Sequence, residues 1–76
     1  MAGIDKLIKK MKAQPNGITF QEACRVLEAK GYRFDRQKSS HCHFINESGD
    51  VITIVKDSTI KKVYVAAILE RIGETN

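Results

Sequence analysis

Cysteine, proline and long apolar runs are all scarce in this sequence, and each scarcity closes a class of explanation. Only two cysteines, Cys24 and Cys42, occur in the 76 residues. That is too few for a disulfide framework. No apolar run approaches the ~20 residues needed to cross a bilayer. No signal peptide precedes the cysteines, so a reduced, cytoplasmic protein is expected, with no membrane partner. Internal repeats, low-complexity tracts and long linkers are missing too. So are a Walker phosphate loop, a Gly-x-Ser-x-Gly elbow, a paired acidic metal site and a Cys-His-Asp set, the usual marks of other chemistries.

What is present is ordinary for a small globular protein. One domain, residues 1–76, is expected from the length, near the lower limit for folding on a hydrophobic core alone. Hydrophobic residues make up 42% of the chain and charged residues 29%, with a formal charge of +4. A mild positive excess favours an anionic partner, nucleic acid or an acidic protein, without choosing between them.

Ile4, Leu7, Ile8 and Met11 fall at i, i+3, i+4 and i+7 and predict a first helix over residues 1–14. Lys6, Lys9, Lys10 and Lys12 lie mostly off that stripe, as either a phosphate-binding face or a solvated one. Pro15-Asn16-Gly17 ends this helix. Thr19 and Glu22 form a capping box for a second helix with Phe20, Ala23, Cys24 and Leu27 on its apolar stripe. Gly31 suits the left-handed residue after its last turn. On that stripe Cys24 reads as a small core hydrophobe.

Three strands should follow. Tyr32 to Gln37 alternates aromatic and polar residues, so Tyr32 and Phe34 are expected to face the helices. Lys38-Ser39-Ser40 is a tight connection. His41 to Asn46 places Cys42 and Phe44 on one face and His41, His43 and Ile45 on the other. Glu47 to Asp50 is a hairpin loop, and Val51 to Val55 is a strand rich in β-branched residues. Lys56 to Lys62 is a polar connection with Ser58 and Thr59 as cap candidates. Val65, Ile68, Leu69 and Ile72 stripe a last helix that Gly73 stops. The expected fold is α+β, ordered α-α-β-β-β-α. A three-stranded antiparallel sheet should carry helices on one face and leave the other open.

The stretch from Arg36 to Ile45 concentrates the chemistry. Both histidines of the chain lie here, two positions apart on one strand, so they share a face roughly 6.5–7 Å from each other. Three readings are open. In the first, both are solvent-exposed strand residues with no task. In the second they bind metal with Cys42, which the alternation turns to the opposite face, with no further ligand pair elsewhere. In the third, one histidine is a general acid or base near neutral pH. Arg36 and Lys38 stand near to hold a phosphate, and Ser40 to orient a reacting group. RNA suits so sparse a site because its own 2′-hydroxyl can attack the adjacent phosphodiester.

At these residues the chain resembles a known family. Gly31-Tyr32-Arg33-Phe34-Asp35-Arg36-Gln37-Lys38-Ser39-Ser40-His41-Cys42-His43-Phe44 is similar to the helix end and first hairpin of HicA-type toxins, whose strand runs into an Arg-Gln-Lys-Gly-Ser-His turn. The Gly49 to Ile54 return and the Lys61 to Ile72 helix continue the likeness, which spans residues 19–73 as a core and leaves residues 1–14 as an N-terminal helix extension. The resemblance implies a double-stranded-RNA-binding-like fold and a ribonuclease that cleaves mRNA, neutralised by a HicB-type antitoxin covering the active face. It places the family's catalytic histidine on His41 and assigns none to His43, which stays a secondary candidate for the proton donor.

Two departures stand out. The family's turn glycine is Ser39 here, and if the position needs a positive φ, serine costs roughly 1 kcal/mol or more. The proline and second histidine common near the end of the family's third strand are absent from Thr53-Ile54-Val55-Lys56-Asp57, leaving Lys56 as a substitute positive charge. Lys61 and Lys62 are further phosphate candidates at a helix N-terminus. The expectation is an endoribonuclease toxin needing no metal or cofactor. A non-catalytic RNA-binding module and a protein that only docks a partner remain as alternatives.

Overall fold

The computed structural model describes residues 2–74. Helix α1 (Ala2–Ala13) is followed by a 3-10 turn at Pro15–Gly17, then α2 (Phe20–Ala29), β1 (Arg33–Lys38), β2 (His41–Ile45), β3 (Val51–Val55) and α3 (Lys62–Arg71). The three strands form one antiparallel sheet in the order β1-β2-β3. The α-α-β-β-β-α order and the α+β class are as the sequence predicts.

The apolar stripes meet between the helices and one sheet face. Met11 from α1, Val26 and Leu27 from α2, and Val65 and Ile68 from α3 are fully buried against Cys42, Phe44, Ile52 and Ile54 of the sheet. In β2 and β3 every second residue is buried and the others are half-buried or exposed. This alternation leaves the second sheet face without a helix layer.

The helix ends explain themselves locally. Thr19 Oγ1 accepts the Glu22 amide at 3.1 Å, and Glu22 accepts the Thr19 amide at 3.0 Å. Glu22 also takes a 2.8 Å ion pair from Lys10, which ties α1 to the start of α2. Gly31 has a φ of 92°, and the Tyr32 amide reaches back 2.9 Å to the Leu27 carbonyl. That is the six-to-one bond of a Schellman stop, for which glycine supplies the left-handed residue. Of the four α1 lysines, Lys10 pairs with Glu22 and Lys12 with Glu74. The phosphate-face reading of this helix therefore loses half its cations to internal pairs.

Three expectations need correction. Phe34 shares the helix-side face with its partner Phe44, its ring edge-on at 5.9 Å, yet it is 53% exposed. It sits on the outer strand, where all six residues are exposed and the helices do not reach. The strand itself starts at Arg33 rather than Tyr32, which is buried before it. Ser58 and Thr59 do not cap α3, because the N-cap is Lys61. That segment instead runs beside residues 18–19: Thr59 bridges Thr19, and the Ile60 amide donates to the Ile18 carbonyl at 2.8 Å.

One polar cluster closes the structure at the far end of the sheet. Asp50, in the β2–β3 loop, accepts the Tyr32 hydroxyl and the Arg71 guanidinium, and Arg71 also reaches the Val51 carbonyl at 3.2 Å. The Tyr32 hydrogen bond, then Arg71, holds the Asp50 carboxyl below its ordinary value. Glu22 and Glu74 shift the same way, through Lys10 and Lys12. Groups whose folded pKa is depressed stabilise the fold above their unfolded value, and that contribution disappears as pH falls through the folded one. The melting temperature should therefore drop as pH is lowered from about 5 through the carboxylate range. Asp50→Asn should flatten that dependence in a thermal titration, and an unchanged slope would contradict it.

Candidate active site

The connection between β1 and β2 is two residues long, with Lys38 paired to His41 across it. Ser39 has a φ of 56°, in the left-handed region, and it is the single non-glycine residue there among the described residues. Gln37 Nε2 donates to the Ser39 carbonyl at 2.9 Å, and the Lys56 amide donates to the Ser40 carbonyl at 2.7 Å. The turn thus holds its shape by hydrogen bonds while carrying an unfavourable backbone angle. Left-handed backbone costs a non-glycine residue roughly 1–2 kcal/mol. Ser39→Gly should raise the melting temperature by several degrees (about 4–8 °C per kcal/mol in a domain of this size). Differential scanning calorimetry checks it, and a lower melting temperature would show that the serine side chain stabilises the turn.

A bulge decides which β1 residues join the histidines. Phe34 pairs with Phe44, but the next pair is Arg36 with His43, so Asp35 is an extra residue in the strand. Without it, Arg36 would follow Phe34 onto the helix side, since every second residue shares a face. The extra residue re-aims everything after it. Arg36 and Lys38 now lie on the open face, opposite His43 and His41 respectively.

The open face is a grid of three rows. Arg33, Ile45 and Val51 form one; Arg36, His43 and Thr53 the next; Lys38, His41 and Val55 the third. Cross-strand neighbours of this kind have Cβ atoms roughly 4.5–5.5 Å apart. No carboxylate occupies any of these positions, while β1 lines one side with three cations. Asp35 approaches Arg36 only at 3.9 Å, and the Arg36 side chain is largely exposed. Such a surface attracts a polyanion.

The two histidines differ within this grid. His41 is exposed at the start of β2, directly after the turn. His43 is half-buried, with Nδ1 2.8 Å from Thr53 Oγ1. Cys42 between them is buried in the core on the opposite face, which keeps its thiol out of reach of anything the histidines hold. Cys24 is a half-buried neighbour of that core, and burial pushes its thiol up to about 11.

Other expected site residues lie elsewhere. Lys56 follows β3 and turns to the helix side, its ammonium 5.7 Å from the centre of the Phe20 ring. Lys61 and Lys62 are at the start of α3, in the helix layer. The fold therefore brings together Arg36, Lys38, His41 and His43, with Ser40 beside them in the turn, and sets the three other lysines apart. It adds two residues that sequence reasoning did not single out, Arg33 and Thr53. Hairpin register would have found Thr53, because with Ile45 opposite Val51, His43 must fall opposite Thr53.

A family model described as the HicA toxin of bacterial toxin–antitoxin systems matches residues 20–74. The chain belongs to the HicA toxin family. Membership makes it a toxin with an antitoxin as its partner. Comparisons with curated proteins and with solved structures give no match. The match begins at the first residue of α2, so the whole basic grid and the histidine turn lie inside the HicA segment, while α1 lies before it. No helix among the described residues is long and apolar enough to cross a membrane.

Proposed function

We propose that this HicA-family chain is an endoribonuclease that cleaves mRNA on the open sheet face, with His41 as its catalytic residue. The observation that carries the reading is the shared face: an exposed histidine in one row with Lys38, beside the Arg36 row, with no carboxylate at any paired position of the grid. Arg36 and Lys38 contact the phosphates flanking the scissile bond, and Arg33 extends that contact by one row. His41 accepts the proton of the attacking 2′-hydroxyl, and Ser40 orients the ribose. Lys61 and Lys62, on the helix layer, serve only RNA that wraps around the domain edge. The partner of this reading is a HicB-type antitoxin that covers the grid, the compartment is the cytoplasm, and residues 1–76 act as one domain without a metal or cofactor.

Induced expression with growth and bulk mRNA followed together tests the proposal. Wild type should stop growth and deplete mRNA, and His41→Ala should do neither. Equal mRNA loss from both proteins would sink the assignment. No mRNA loss from either, with salt-sensitive RNA binding by the purified protein, would make the chain an RNA-binding module of the same fold.

A further inference from the structure

Resting on the ribonuclease reading, we infer that His43 is a second catalytic residue, the acid that protonates the leaving oxygen, and that Thr53 is the positioning residue that aims its ring. The row Arg36–His43–Thr53 runs straight across the sheet next to the row that holds His41. Thr53 Oγ1 lies 2.8 Å from His43 Nδ1 and is itself on a half-buried strand position. In the imidazolium form both ring nitrogens donate. Nδ1–H then donates to Thr53 Oγ1, and Nε2–H is left for a ligand.

The spacing matches the reaction. Attack by a 2′-oxygen on phosphorus places the attacking and departing oxygens on opposite sides of the phosphorus. Base and acid must therefore stand apart on one surface rather than together. Same-face neighbours on a strand are roughly 6.5–7 Å apart, with the phosphate held between them by Arg36 and Lys38. His41 takes the 2′-hydroxyl proton as the P–O2′ bond forms. The P–O5′ bond breaks, and the departing 5′-oxygen receives the His43 proton. The products are a 2′,3′-cyclic phosphate and a 5′-hydroxyl end. His41 finishes protonated and His43 neutral, and proton exchange with solvent restores both.

A single histidine cannot serve both oxygens in one step, and the other groups on this face are poor donors. Arg36 grips the phosphate as a guanidinium fork. Lys38 is taken up as a cation by the phosphate. Thr53 has a hydroxyl, but an alcohol is a far weaker acid than an imidazolium. His43 is the remaining side chain on the face whose ring nitrogen can carry and release a proton.

The test compares the full-length wild type, His41→Ala, His43→Ala, His43→Gln, Thr53→Val and Thr53→Ser on two substrates. One is an oligoribonucleotide; the other is a uridine 3′-phosphodiester with a nitrophenyl leaving group, which departs without a proton. On RNA, His43→Ala and His43→Gln should lose about 10²- to 10⁴-fold in kcat. RNA affinity should be unchanged, and the alkaline limb of the bell-shaped pH profile should vanish. On the nitrophenyl ester both should run within about threefold of wild type, because the acid is no longer needed, whereas His41→Ala stays inactive on both. Thr53→Val should lose about ten- to 150-fold in kcat on RNA, the worth of one hydrogen bond to a charged group. Its KM should hold, and Thr53→Ser should restore the rate.

His43→Gln keeps a polar, hydrogen-bonding side chain, so a folding failure of His43→Ala does not remove the test. If wild type cleaves both substrates and the His43 variants are equally impaired on both, or unimpaired on RNA, the assignment of the acid falls and the ribonuclease reading stands. If wild type cleaves neither, both fall.

Discussion

Replacing His41 by alanine should lower RNA cleavage by the purified protein about 10²- to 10⁴-fold, the usual contribution of one positioned acid–base group. Affinity for an uncleavable 2′-deoxy analogue should stay within about twofold. The separation follows from where the charge lies. The cations that line the grid are Arg33, Arg36 and Lys38, all on β1, and His41 sits across from them on β2. Removing the imidazole therefore removes a proton acceptor and leaves the phosphate contacts in place. The side chain is exposed, so its truncation opens no cavity in the core. Arg36→Ala should show the reverse pattern, with weaker binding and a smaller slope of log affinity against log salt. Rates and titrations on the same preparations check both. A parallel loss of affinity in His41→Ala would make His41 a binding residue and nothing more.

The second large effect concerns α1, which precedes the family segment and reads from sequence as an extension. Met11 is fully buried and Ile8 nearly so, within the same core as the sheet residues. Burying such a side chain contributes about 1.5–3 kcal/mol, and truncating a core methionine to alanine typically costs about 2–5 kcal/mol. A domain this small seldom holds more than about 3–5 kcal/mol in all. Met11→Ala should therefore lower the melting temperature by at least about 10 °C. Deletion of residues 2–13 should remove the cooperative transition altogether. Calorimetry on the two variants decides it. A truncated chain that still melts cooperatively would show that the family segment folds alone and that α1 only decorates it. On the present packing, α1 is part of the core that backs the sheet beneath the histidines.

The bulge at Asp35 carries a lesson about the site. From Tyr32 to Lys38 the alternation points Phe34, Arg36 and Lys38 to one side, and that side is the helix side at Phe34. Taken at face value, the strand would have put its cations away from His41 and His43. Only pairing with β2 shows that Asp35 is inserted and that Arg36 and Lys38 cross to the open face. The cause is nonlocal: Phe34 docks against Phe44 while Lys38 must close the two-residue turn onto His41. Both constraints are met only with one residue to spare. No residue in Arg33-Phe34-Asp35-Arg36 announces this by type.

Local physics was enough for the element order, the capping box at Thr19, the glycine stop at Gly31, the buried stripes and the face shared by His41 and His43. Each depends on neighbours within a few residues, through backbone hydrogen bonds, left-handed glycine and strand alternation, and such rules act on the chain before any tertiary contact forms. Packing decided the rest. The edge position of β1 exposes Phe34, and the bulge gathers the cations. Ile8 and Met11 draw α1 into the core. These outcomes depend on which segments lie side by side, which no short window of sequence contains.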